Sequence, residues 1–75
     1  MMTKRQIQVL KLVRAAIRRD GVPPTLVELA EITALSANTI RNTFLDLEAA
    51  GFIRRRHGKC RSLVILRVPA ELRAT

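Results

Sequence analysis

The 75-residue chain reads as a mainly helical α+β domain, three helices followed by a two-stranded β-hairpin. Three observations predict that order. Apolar residues recur at helical spacing between Val9 and Ile17, and again between Ala37 and Leu47. Each helical stretch is preceded by a residue suited to cap it, at Thr3, Thr25 and Ser36. After Gly51 the helical period gives way to two short stretches around His57-Gly58-Lys59-Cys60, the pattern of a hairpin with a four-residue connection.

The first helix is expected over about 3–19. Thr3 with Gln6 three residues on forms a capping box, and Leu10, Val13, Ala16 and Ile17 fall on one stripe with Val9 at its margin. Asp20-Gly21 ends it, because glycine takes the left-handed C-terminal conformation without a Cβ penalty. Val22-Pro23-Pro24 is then a stiff extended link, since each proline fixes its own φ and restrains its predecessor. Thr25 and Glu28 make a second capping box, starting a helix over about 25–33 that buries Leu29 and the small Ala30. Thr33-Ala34-Leu35 is the turn, with Ala34 at a place that often needs positive φ. Ser36 caps the third helix, about 36–50. Its core stripe is Ala37, Ile40, Phe44 and Leu47, with Asn38, Asn42, Leu45 and Ala49 facing away. Strands follow over about 52–56 and 61–68, then a tail, 69–75, with one helical turn at Ala70-Glu71-Leu72. No repeat, low-complexity segment or linker divides the chain, so 1–75 is read as one domain.

Two helices joined by a tight turn and followed by a basic hairpin are the elements of a winged helix-turn-helix. Charge agrees on independent grounds. Fourteen Lys and Arg against six Asp and Glu give a formal net charge of +8, a surplus that attracts polyanions. The longest apolar run in the hairpin, Leu63-Val64-Ile65-Leu66, is far too short to span a bilayer, and no apolar h-region follows the N-terminus. The single cysteine excludes an internal disulfide and fits a reducing cytoplasm. The expectation is a cytoplasmic, nucleoid-associated binder of double-stranded DNA, without a membrane or an evident small-molecule ligand.

The start of the third helix offers the base-reading residues: Ser36, Asn38, Thr39, Arg41 and Asn42. Arg donates two hydrogen bonds to guanine O6 and N7, Asn brackets adenine N6 and N7, and the amides at a helix start favour a phosphate. Arg54, Arg55, Arg56, Lys59 and Arg61 carry five positive charges on the wing, suited to backbone or a narrow minor groove. Strand alternation prevents the three consecutive arginines from addressing one phosphate track. The bland alternatives are a solvated helix face and a charged edge that keeps the hairpin soluble.

No cofactor is expected. His57 and Cys60 provide too few ligands for a structural zinc, and a redox role for Cys60 beside Lys59 and Arg61 is weaker than an incidental thiol. The carboxylates are scattered and neither Ser36 nor Ser62 has a base nearby in sequence, so no enzyme activity is expected. Ser62-Leu63-Val64-Ile65-Leu66 is apolar on both faces, which requires cover from the tail or from a second subunit. Rival functions are a protein-interaction module using that strand, or a structured-RNA binder. The scarcity of aromatic residues, two Phe and no Tyr or Trp, counts against stacking on single-stranded bases.

Arg5-Gln6, Gly21-Val22-Pro23-Pro24-Thr25, Glu28-Leu29-Ala30, Ser36-x-Asn38 and Gly51-Phe52-Ile53 together resemble the DNA-binding domain of LexA-type repressors, over residues 3–66. The Gly-x-Pro-Pro-Thr element is the most specific part. Ser36-x-x-Thr39-Ile40, with Leu47-x-x-x-Gly51-Phe52-Ile53-x-Arg55, is shared more widely among bacterial winged-helix regulators. The resemblance implies a transcriptional regulator, a repressor acting by operator occupancy. One such domain reads only a few base pairs, so a homodimer is expected, at least on DNA. LexA repressors continue into a self-cleaving Ser/Lys protease domain that also dimerises them. No such sequence follows Val68, so neither cleavage nor damage-triggered release is expected of these residues. The turn before the third helix is one residue shorter than in LexA. Ser36 and Asn38 match the family, whereas Thr39, Arg41 and Asn42 replace small and acidic residues, which implies a different operator.

Overall fold

A computed structural model describes residues 3–55 and 63–73. Helix α1 spans Lys4–Asp20, α2 Leu26–Thr33 and α3 Ala37–Ala49. Strands β1, Ile53–Arg55, and β2, Leu63–Ile65, follow, and the short helix α4 is Ala70–Arg73. Three helices and a two-stranded antiparallel hairpin make the winged helix-turn-helix that the sequence predicts.

Local chemistry accounts for the helix ends. Thr3 and Gln6 bond reciprocally: the Gln6 N–H donates to Thr3 Oγ1 at 3.1 Å and the Thr3 N–H donates to Gln6 Oε1 at 2.9 Å. Gly21, at φ 79°, closes α1 by donating to the Ile17 carbonyl. At α2, Thr25 Oγ1 accepts from the Glu28 N–H at 3.1 Å. The α2–α3 turn is held by Thr33, whose hydroxyl donates to the Leu29 carbonyl at 2.7 Å and accepts from the Leu35 N–H at 3.3 Å. Ala34 sits at φ 61°, ψ 20°, the only non-glycine residue with positive φ among the described residues. Ser36 Oγ then accepts from the Thr39 N–H at 3.1 Å. At the far end of α3, Gly51 at φ 83° donates to the Glu48 carbonyl and Phe52 donates to that of Leu47. This pair of bonds is a Schellman motif, and it turns the chain directly into β1.

One core joins every element: Val9, Leu10, Val13, Leu29, Ile40, Phe44, Leu47, Ile53, Leu63 and Leu72. Three placements differ from the expected pattern. Ala37, expected in the core stripe of α3, is only half-buried and lies outside the core. Val9 is fully buried rather than marginal, because both α3 and α4 pack on α1 and widen its covered arc. Thr43 joins the buried side of α3, its hydroxyl satisfied by the Thr39 carbonyl at 2.9 Å.

The hairpin pairs Ile53 with Ile65, Arg54 with Val64 and Arg55 with Leu63. Ile53 and Leu63 face the core while Arg54 and Val64 face solvent. The described strands are shorter than expected. Residue 52 and residues 66–68 lie outside the ladder, although the Phe52 carbonyl still accepts from the Leu66 and Arg67 amides at 2.8 and 3.4 Å. Residues 56–62 lie outside the described residues. The described part of the tail, 69–73, does not cover the outer face of β2. Leu72 enters the core against α1 instead, and Arg14 Nη1 donates to its carbonyl at 3.0 Å. Val64 and Leu66 therefore remain 55% and 54% exposed.

Candidate nucleic-acid interface

The third helix is oriented by its core residues. With Ile40, Phe44 and Leu47 buried, a rotation of about 100° per residue brings Asn38, Asn42, Leu45 and Ala49 onto the opposite side. All four are exposed, and so is Arg41. Asn38, Arg41 and Asn42 thus form the open polar surface of the first two turns. Ser36 and Thr39 differ in kind. Their hydroxyls lie 2.8 Å apart and Ser36 also caps the helix, so both are engaged with the local backbone; Thr39 is half-buried.

The two flanks of α3 meet different partners. Thr39, Asn42, Thr43 and Asp46 form one wall of an open cleft whose other wall is Thr3, Lys4, Arg5 and Gln6 at the start of α1. Lys4 and Arg5 are exposed beside the helix that carries Asn42. The sequence by itself did not bring either cation to this surface. The only signal was the Arg5-Gln6 pair within the family resemblance.

The opposite flank, Phe44 and Glu48, meets the hairpin through Arg55. The Arg55 guanidinium carbon lies 5.4 Å from the Phe44 ring centroid, Nη2 is 3.7 Å from Glu48 Oε1, and the backbone N–H donates to Glu48 Oε2 at 3.4 Å. Arg55 Nε is buried without a hydrogen-bond partner. Its positive charge is turned toward α3 rather than outward. Period-two alternation from the apolar Ile53 carried that signal, since Arg55 must share the inward side of the strand. Arg54, in contrast, is exposed on the outer face. Arg56, Lys59 and Arg61, and with them His57 and Cys60, lie outside the described residues.

Two more arginines have structural partners. Arg67 donates from Nη2 to the Ala50 carbonyl at 2.8 Å and lies 4.5 Å from the Phe52 ring centroid, closing the C-terminal end of α3. Arg19 is bound side by side with Asp20, whose hydrogen bond and negative charge raise the guanidinium pKa further above its ordinary value. Neither is placed by α3's polar surface. Among the described residues, no three His, Cys, Asp or Glu side chains gather at a metal-binding distance, and no helix is long and apolar enough to cross a membrane.

The sequence is similar to those of known proteins. The family model described as the LexA DNA binding domain matches residues 1–62. The chain is similar to the LexA repressor of Ruegeria sp. (strain TM1040), 36% identical over 73 residues that cover 96% of this chain and 30% of that protein. It is 37% identical over 70 residues to the LexA repressor of Magnetococcus marinus, covering 93% and 30%. With the LexA repressor of Bacillus licheniformis it shares 33% identity over 72 residues, covering 95% and 35%. The chain spans about a third of the length of these relatives. A capped, solvent-facing third helix, a basic hairpin behind it and a match across most of the sequence lead to one conclusion: the chain belongs to the LexA DNA-binding domain family.

Proposed function

We propose that this chain binds double-stranded DNA sequence-specifically and represses transcription by occupying an operator. The observation that carries this reading is the exposed Asn38–Arg41–Asn42 surface on the first two turns of a rigidly capped helix. Inserted in a major groove, Arg41 suits guanine and the two asparagines suit adenine. Ser36 and Thr39 hold the helix start, where free amides favour a phosphate.

Backbone contacts fall to the cations around that helix. Arg54 on the outer face of the wing and Lys4 and Arg5 across the cleft are exposed, and the stretch of sequence from β1 to β2 contributes Arg56, Lys59 and Arg61. Arg55 is left out of this set, because its guanidinium already serves Glu48 and Phe44. The chain acts by binding rather than catalysis, in the cytoplasm on the nucleoid. One such domain reads only a few base pairs, so two protomers occupy half-sites spaced by about one helical turn, about 10 bp, or a multiple of it.

The test is selection of duplexes from a random pool by the purified chain, followed by affinity on the recovered and scrambled sequences. Enrichment of a defined motif supports the reading, and failure to enrich any motif refutes it. A second reading, a protein-interaction module, draws on the outward-facing Val64 and Leu66. It would be favoured if the chain bound neither selected nor random DNA.

A further inference from the structure

Arg55 and Glu48 form a junction between the recognition helix and the wing. Phe44 and Glu48 are one helical turn apart, so they stand one above the other on the flank of α3. Together they take hold of one residue of β1 by three means: the Phe44 ring, the Glu48 carboxylate on the guanidinium, and the same carboxylate on the Arg55 N–H. The two charged side chains are only 22% and 29% exposed, so water screens the pair less than it would a surface pair. Ile53 anchors the first residue of β1 in the core and Arg55 anchors its last. Two fixed points determine the direction of a strand. The ladder to β2 then carries that direction through the ribbon.

We infer that Glu48, acting through Arg55, is a positioning residue for DNA binding: it sets the angle at which the wing leaves the recognition helix, although neither side chain contacts DNA. The inference rests on the proposed role of the wing in holding the backbone. A sign distinguishes it from simple charge. Glu48 is a carboxylate near a polyanion, so if it acted only through repulsion its removal would tighten binding. Positioning requires the opposite.

The experiment is a double-mutant cycle with the 75-residue chain on its selected duplex, at several salt concentrations, using Arg54→Ala, Glu48→Ala and the pair. One phosphate contact with a log–log salt slope of 0.9 corresponds to about fivefold in affinity at 0.15 M salt. Arg54→Ala is expected to weaken binding by about that factor. Glu48→Ala should also weaken it, by about fivefold or more, without altering the base preferences read by α3. In the Glu48→Ala background, Arg54→Ala should then cost less than about twofold, because a misdirected strand has no contact left to lose. Tighter binding by Glu48→Ala, or a full fivefold effect of Arg54→Ala in both backgrounds, overturns the inference while leaving the wing reading intact. No effect of Arg54→Ala in the parent chain removes Arg54 as a wing contact and the inference with it. Circular dichroism checks folding, and if Glu48→Ala does not fold, Glu48→Gln carries the same comparison with the guanidinium pair weakened.

Discussion

Ala34→Gly isolates the backbone strain of the turn on which the recognition helix depends. Ala34 lies at φ 61° and ψ 20°, where the Cβ of an L-residue crowds the following carbonyl and costs about 1 kcal/mol. The side chain is exposed, so removing its methyl group forfeits almost no burial. The conformation is also imposed from outside, because Thr33 bonds across the turn to the Leu29 carbonyl and the Leu35 amide. Glycine relieves the strain but adds freedom to the unfolded chain, worth about 0.4–1 kcal/mol in the other direction. The expected net effect is between about 0 and 0.6 kcal/mol of stabilisation. In a domain of this size that raises Tm by up to roughly 5 °C. Ala15→Gly is the control: Ala15 is exposed in the middle of α1, and the same substitution there should cost about 1 kcal/mol, lowering Tm by roughly 4–8 °C. Thermal melts followed by circular dichroism measure both. If Ala34→Gly falls together with Ala15→Gly, the left-handed turn is not strained and the reasoning is wrong.

Further expectations concern the DNA surface and the tail. Asn42→Ala should cost roughly 1–3 kcal/mol on the preferred duplex and relax preference at one or two positions, with Arg41→Ala similar, measured on matched and scrambled sequences. Arg54→Ala or Lys59→Ala should weaken both kinds of DNA about equally and flatten the log–log salt slope by about 0.9 for each lost phosphate contact. Leu72→Ala empties a side chain that is 1% exposed and should destabilise the fold by about 2–5 kcal/mol, read as a large fall in Tm. At saturating protein, sedimentation should find two protomers on each tightly bound duplex; a single protomer would defeat the paired-half-site reading.

Arg55 shows how local and non-local information divide in this protein. The basic run from Arg54 to Arg61 identifies a wing by composition, and alternation from Ile53 indicates which of its residues turn inward. Neither says what waits on the inner side. Phe44 and Glu48 are apart from Arg55 in sequence by a helix end and a Schellman turn, and their meeting depends on the angle that turn creates. The same holds for Lys4 and Arg5 beside Asn42, which come together only when α1 packs on α3.

The sequence alone determined what depends on neighbours within about one helical turn. Thr3 with Gln6, Thr25, Ser36, Gly21 and the left-handed Ala34 are set by bonds and clashes between residues at most four apart. The apolar stripes of α1 and α3 follow from the helical period, and with them the outward face bearing Asn38 and Asn42. Tertiary structure alone decided that Val9 is fully buried, that Leu72 docks on α1 and leaves Val64 uncovered, and that Arg55 serves α3 rather than solvent. Each of these depends on which surfaces meet. A side chain's periodicity tells which way it points, while its partner and its degree of burial are properties of the second element that packs against it.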